Sequence, residues 1–315
     1  KHPVVQKAIQ ILALAAAETR DREIQKVLLA GTTVQYVNNR SSRATLVAGD
    51  TMSSAEVREL TADLRDGGAR PTSEADCFWG VLNPLVEADI TADTTFVNAA
   101  SYSNIMALKN FEVGRWQGIR WVRSNFLHKF TGYASSTYST ATVDSGGSIN
   151  ANTTVYIVVT GVNTDTGFEE RLYQESSRTT ASDGENDHSI NVTVPSTTGY
   201  TYNVYAGTAS GTTYQSTTGL AASAVYALTT VPTSGTTNPA IPATGITAHI
   251  VWVFGQEAFA DIELSGMTLQ TYVTPKESSD SDPLQQRRKV GWKQAHKSVI
   301  CNNAFFTRLE CVSAY

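Results

Sequence analysis

The chain has 315 residues and a formal net charge of −5, from 24 basic and 29 acidic side chains. That length allows two domains and a substantial core, and the acidic balance argues against a strongly basic nucleic-acid-binding domain as the default. No stretch approaches the ~20 apolar residues that span a bilayer, and no signal peptide is visible. The three cysteines, Cys77, Cys301 and Cys311, offer neither an even disulfide framework nor a CxxC pair, and read as reduced thiols of an intracellular product.

The chain opens on Lys1-His2-Pro3 rather than Met and enters a helical pattern at once, so its true start is expected upstream. Val4 to Leu29 predicts a long helix: Pro3 suits a first-turn position, and Ala, Leu, Gln, Glu and Lys are good helix formers. Val5, Ile9, Leu12, Ala16, Ile24, Val27 and Leu28 predict a buried stripe, and Gly31 a C′ stop. A second helix is expected from Ser54 to Asp66, capped by Ser53 or Ser54, with Glu56 in its first turn. Val57, Leu60 and Leu64 line one of its faces, and Gly67-Gly68 ends it. "FWGVLNP" (Phe78 to Pro84) predicts a short buried strand and "LVEADITAD" a helix. Val113 to Asn125 reads as one half-exposed strand.

Composition then changes abruptly. From Tyr133 to Ile246 there is no lysine, and eight acids stand against Arg171 and Arg178, a net of −6. The other 201 residues carry a net of +1, and about a third of the middle segment is Ser or Thr. This segment predicts strands throughout, with inward faces Val155, Ile157 and Val159, then Ile190, Val192 and Val194, then Tyr202, Val204 and Ala206. Short β-branched runs with frequent turn signals fit a small antiparallel sandwich. After Ile246 mixed α/β character returns. "AHIVWVF" is a strand, Gly255 a tight turn, and the residues after it a short helix or a second strand. "GMTLQTYVTP" alternates, "KSVICN" reads as a buried strand, and Phe305, Thr307 and Leu309 mark a last run of period two. The expected division is residues 1–132 and 247–315 as one discontinuous domain, with 133–246 inserted.

Chemistry is sparse. No Gly-rich phosphate loop, HExxH, GxSxG or EF-hand pattern occurs. His296 and Cys301 suggest a Cys/His nucleophile pair, but Cys301 reads better as a small core residue of a strand. Glu277, Asp280 and Asp282, and separately Asp183, Glu185 and Asp187 around Gly184, could bind Ca²⁺, though solvated loops are the simpler reading. Arg287, Arg288 and Lys289 follow the first acidic block directly. Three charges release few counterions, so a subunit contact or solvated turn fits better than a nucleic-acid site. Asn152 and Asn191 sit in Asn-x-Thr triplets of the kind a Thr-rich stretch produces by chance. Trp116, Trp121 and Trp292 read as core or interface anchors. No catalytic residue, cofactor site or metal site is expected.

The outer pieces resemble the N4-type major capsid proteins of tailed bacteriophages, which have the HK97-like capsid fold. The long helix running into "LLAGTTVQYV" (Leu28 to Val37) is similar to that family's spine helix and following strand. "SSRATLV", "SSAEVRELTADLRDGGARP", "FWGVLNPLVEADITAD", "NFEVGRWQGIRWVRS" and "VFGQEAFADIELSG" resemble further blocks in the family's order. The most specific is "DPLQQRRKVGWKQAHKSVICNNAFFTRLE". The middle segment is similar instead to immunoglobulin-like or fibronectin-type domains, in "YIVVTGVN" and "YTYNVYAGT". The family's N-terminal arm and E-loop have no counterpart here. The resemblance implies an α+β HK97-like capsid fold, with spine helix, P-domain and A-domain and an inserted all-β immunoglobulin-like sandwich. It implies a non-enzymatic major capsid protein that self-assembles into an icosahedral head. Its partners would be other copies in hexamers and pentamers, decoration or portal proteins, and enclosed double-stranded DNA bound without sequence specificity. No membrane is involved, and the protein would sit in the virion after assembly in the host bacterial cytoplasm. Glu277, Asp280, Asp282, Arg287, Arg288 and Lys289 become candidate subunit contacts, in a connection from an exposed loop back into the core sheet. The alternatives are a surface adhesion or carbohydrate-binding protein carrying an immunoglobulin-like module, and a hydrolase with an accessory sandwich. The first requires a signal peptide and the second a nucleophile with its base.

Overall fold

The structure, a computed structural model, describes residues 4–72, 76–93, 112–133, 138–265, 267, 269–273 and 289–315. Helix α1 spans Val4–Leu29, as its helix-forming composition predicts. Its apolar stripe is only partly sealed: Ala16 and Leu28 are buried, Ile9, Leu12, Ile24 and Val27 are half-buried, and Ile11 and Leu14 are each 60% exposed. Gly31 does not adopt the left-handed conformation expected of a C′ stop. It is needed for space instead, because a Cβ there would collide with the Phe306 ring.

Strand β1 (Val34–Tyr36) leads through two 3₁₀ turns to helix α2 (Ser54–Asp66). Ser53 caps α2 through Ala55 N, and Glu56 returns to the Ser53 backbone N–H at 3.0 Å, the reciprocal capping box. Strand β2 (Phe78–Leu82) precedes helix α3 (Pro84–Ala92), which Asn83 caps by accepting from Val86 N at 2.8 Å. The single strand expected over 113–125 is instead a hairpin, β3 (Glu112–Trp116) and β4 (Ile119–Arg123). Gln117 (φ 50) and Gly118 (φ 82) both sit in the left-handed region, as a two-residue type I′ turn requires. Gln-Gly is a weaker turn signal than Asn-Gly, so the apolar alternation reads straight across it.

Strand β5 (Lys129–Gly132) enters the middle segment, which holds β6 (Ser139–Val143), β7 (Thr154–Asn163), β8 (Glu169–Leu172), β9 (Ser176–Thr179), β10 (Ser189–Thr193), β11 (Tyr200–Ala209), β12 (Thr212–Leu220) and β13 (Val225–Leu228). All nine residues expected to point inward share one buried cluster with Tyr138, Tyr173 and Leu228. One wall is β12-β11-β7 with β9, and the other is the separate sheet β13-β10-β6. The cluster is filled from both walls.

The last part comprises β14 (Thr247–Phe254), β15 (Phe259–Glu263), β16 (Gln270–Val273), β17 (Val290–Lys293), β18 (His296–Ile300) and β19 (Phe306–Cys311). The residues after Gly255 therefore form a strand rather than a helix. Strand β14 organises the core by pairing antiparallel with β19, β2 and β5. Val251 and Val253 face the cluster made by Val57, Leu60 and Leu64 of α2 with Val86 and Ile90 of α3, while Ala248, Ile250 and Trp252 face Leu28 of α1 and Phe306. A strand covered on both faces reads as a continuous apolar run, which is the pattern of "HIVWVF". The sheet does not stop at the composition boundary. Its order is β12-β11-β7-β8-β5-β14-β2-β4-β3, and β8 lies parallel to β5 through Thr131↔Arg171 and Gly132↔Leu172.

Two expectations about the C-terminal part fail. Strand β18 buries only Ser298 of its five residues, and Cys301 beyond it is exposed rather than in the core. Trp292 and Lys293 do not lead back into the core sheet. They belong to β17, which among the described residues pairs only with β16, and the chain rejoins the core sheet at β19.

Candidate functional site: a ribbon arm and a buried ion cluster

Strands β15 and β18 form one antiparallel ribbon and β16 and β17 another. Leu264 N to Ala295 O (3.1 Å) and Ala295 N to Met267 O (3.0 Å) join them end to end. Of the candidate contact residues, Glu277, Asp280, Asp282, Arg287 and Arg288 lie outside the described residues. Lys289 is exposed immediately before β17, so the charged stretch connects the two strands of the outer ribbon.

Period-two alternation splits the inner ribbon into two chemically different faces. Asp261, Glu263, His296 and Ser298 share the face toward α1. Arg20 pairs with Asp261 at 2.5 Å and Glu263 at 2.6 Å, while Ser298 Oγ donates to Asp261 Oδ1 at 2.8 Å and His296 Nδ1 lies 3.3 Å from it. Burial alone would raise the Asp261 carboxyl, but the bonds from Ser298, Arg20 and His296 outweigh it and hold the group below the usual carboxylate value. The opposite face carries Ile262 (59% exposed) and Val299 (42%), with Leu264 (58%) just beyond. The outer ribbon adds exposed Tyr272 and Val273. His296 is thus committed to Asp261 and makes no pair with Cys301.

The second feature is an ion cluster inside the fold. Glu310 of β19 is completely buried and receives Arg43 Nε and Nη2 at 2.6 Å each, a bidentate pair, while Arg43 Nη1 donates to Ala240 O at 3.1 Å. The Arg43 guanidinium also stacks 3.4 Å above the Phe130 ring. Arg308 shares the Glu310 face of β19 and donates through Nη1 to Leu29 O at 2.8 Å. This cluster ties α1, the Arg43 turn, β19 and the exit of the middle segment together. Sequence reading missed it. The available signal was charge at period two, Arg308 and Glu310, inside an otherwise apolar run, but the partner Arg43 stands 267 positions from Glu310.

Asp183, Glu185 and Asp187 do not form a ligand cluster. Asp183 Oδ1 accepts from Glu185 N at 3.0 Å and lies 3.0 Å from His188 Nε2, closing a turn. The Glu185 N–H, ahead of His188, lowers the Asp183 carboxyl below its ordinary value. Among the described residues no group of three His, Cys, Asp or Glu side chains could hold a metal ion, and no helix is long and apolar enough to cross a membrane. Trp116 and Trp121 lie in the core cluster, while Trp292 is half-buried in the outer ribbon.

No protein-family model matches the chain, and no curated protein matches it in sequence. Among solved structures it is similar to a chain of the capsid of cyanophage P-SCSP1u, with 13% identity and a TM-score of 0.43 over 97% of this chain. It is also similar to a chain of the acid-stable capsid of Helicobacter pylori bacteriophage KHP30, with 11% identity and a TM-score of 0.46 over 98% of this chain. The chain spans 64% of the cyanophage chain and 69% of the other.

Proposed function

We propose that this chain is a major capsid subunit of a tailed bacteriophage, of the N4 type with an HK97-like fold. Residues 133–246 would be an inserted immunoglobulin-like sandwich on the shell's exterior. The observation that carries the reading is the ordered set of sequence blocks along both outer pieces, about two thirds of the chain. Support also comes from packing: Val57, Phe78 and Trp121 from the first piece share one core cluster with Val251 and Leu309 from the last. The role is structural rather than enzymatic. Many copies tile a closed shell through heterologous contacts, which need surface charge and apolar area placed for neighbours as well as for water. The partners are then other copies in hexamers and pentamers, decoration or portal proteins, and double-stranded DNA held without sequence readout. The acidic middle segment suits a solvated exterior, and the near-neutral outer pieces suit dense packing.

In this reading Glu277, Asp280, Asp282, Arg287, Arg288 and Lys289 offer acid and base to different neighbours. The test is the double charge reversal Arg287→Glu with Arg288→Glu, read by sedimentation and by thermal melting. The expected outcome is loss of particles with an unchanged melt of the subunit. Normal particles would refute the contact assignment.

A further inference from the structure

We propose that the cleft of about 350 Å³ where the middle segment meets the outer core binds a small carboxylate with an aromatic or branched apolar body. The inference stands apart from the capsid reading. Its volume falls within the range of small-ligand sites, roughly 300–1,000 Å³. The walls that matter are Arg43, Arg308, Glu169, His128, Phe130 and Phe168, with the Arg43 guanidinium over the Phe130 ring and His128 packed against both phenyl rings.

The cation inventory comes first. Two guanidiniums, Arg43 and Arg308, share a single fully buried carboxylate, Glu310. Arg43 takes it with both arms. Arg308 Nε lies 3.1 Å from Glu310 Oε1 as an ion pair, but that buried N–H makes no hydrogen bond. A guanidinium has five N–H donors, and a buried charge with donors unspent is costly unless another acceptor reaches it. Glu169 does not fill this role. Its Oε1 accepts from Thr160, from Asn203 Nδ2 at 3.2 Å and from Tyr205 Oη at 2.8 Å, so that oxygen is held by neutral donors of β7 and β11 while the carboxylate keeps its charge.

The middle of the cleft sets the rest of the ligand. His128 is 4% exposed, packs 4.5 Å from both Phe130 and Phe168, and has no hydrogen-bond partner for Nδ1. Burial first, then the fields of Arg43 and Arg308, push its imidazolium pKa down to about 3, so it is a neutral ring at physiological pH. The site therefore sets two guanidiniums that share one carboxylate beside an aromatic body, with Glu169 as its one other charge. A planar carboxylate matches a guanidinium in two-point geometry, and an apolar body would be buried against the phenyl rings. A phosphate dianion would be held against Phe130 and Phe168 with most of its charge uncompensated.

The probe is benzoate, titrated into the full chain with selectively ¹³C-labelled histidine. His128→Gln assigns the His128 resonance. Benzyl alcohol and inorganic phosphate are the comparators. The expected result is a saturable shift of the His128 Cε1–H signal at pH 7, with a dissociation constant of about 1 mM or tighter and a rise in melting temperature. Benzyl alcohol and phosphate should each bind at least tenfold more weakly, and Arg308→Met should lose benzoate affinity at least tenfold. Should Arg308→Met fail to fold, Phe168→Leu and the wild-type titration decide. An unmoved His128 signal up to roughly 10 mM benzoate overturns the proposal. So does benzyl alcohol or phosphate binding as well as benzoate.

Discussion

Strands β18 and β19 are separated by only five residues and alternate alike in sequence, yet they meet opposite fates. All six residues of β19 are buried, including Arg308 and Glu310, whereas β18 buries one of five. The difference lies in what covers them. Strand β19 joins β14 and β1 and has packed side chains on both faces, while β18 among the described residues pairs only with β15 and has α1 on one face. A two-stranded ribbon is marginal in water by itself. Here one face is fastened to α1 by Arg20 and the other leaves Ile262 and Val299 bare. The outer pieces are thus a sheet covered on both faces at β14 and β19, carrying an arm with one bare face.

Four substitutions should separate these regions. The largest effect is expected from Glu310→Gln, which strands Arg43 and Arg308 without their shared carboxylate. Removing one member of a buried ion pair costs about 3–5 kcal/mol, so urea denaturation should show a loss of that size. A loss under ~1 kcal/mol would mean that the cluster is solvated. Next is Leu172→Ala. Leu172 enters from the middle segment but packs in the cluster of Phe130, Ile250 and Trp252, so a loss of roughly 2–5 kcal/mol is expected. It should appear as a shift of the core's own unfolding. A melt in which only the middle segment moves would show that the two are merely tethered.

Asp261→Asn acts on the arm and should cost about 1 kcal/mol, seen as faster hydrogen exchange along α1 and β18. Because the folded Asp261 pKa is lowered, its contribution is complete above the unfolded value near ~3.9. It is lost as pH falls from there through the folded value. Acidification should therefore loosen the arm in the parent and change the Asn variant little. A parent arm insensitive to that acid range contradicts the assignment. Smallest is Ile262→Ser on the bare face, expected within about 0.5 kcal/mol for the folded chain. If the arm meets neighbours, the same change should reduce assembly. Unchanged particles would remove Ile262 from any contact.

Legibility in the sequence followed burial. Helix α2, with its Ser53/Glu56 box and its Val57, Leu60 and Leu64 face, and strands β7, β10 and β11 could be read because one face of each is buried and the local signals agree. The β3–β4 hairpin could not, because Gln117-Gly118 interrupts an apolar alternation that continues on both sides. The arm was misjudged for a different reason. Alternation says which residues share a face but not whether anything covers that face, so Cys301 and Val299 read as core. The Arg43–Glu310 pair was invisible because it depends on a contact across nearly the whole chain. The charged residues 277–288 lie outside the described residues.

The central claim is that many copies of this chain build a closed shell, and electron microscopy of the protein purified from its native source tests it most directly. The account predicts large closed particles in which this chain is the repeating wall subunit. A preparation containing only discrete monomers would contradict it.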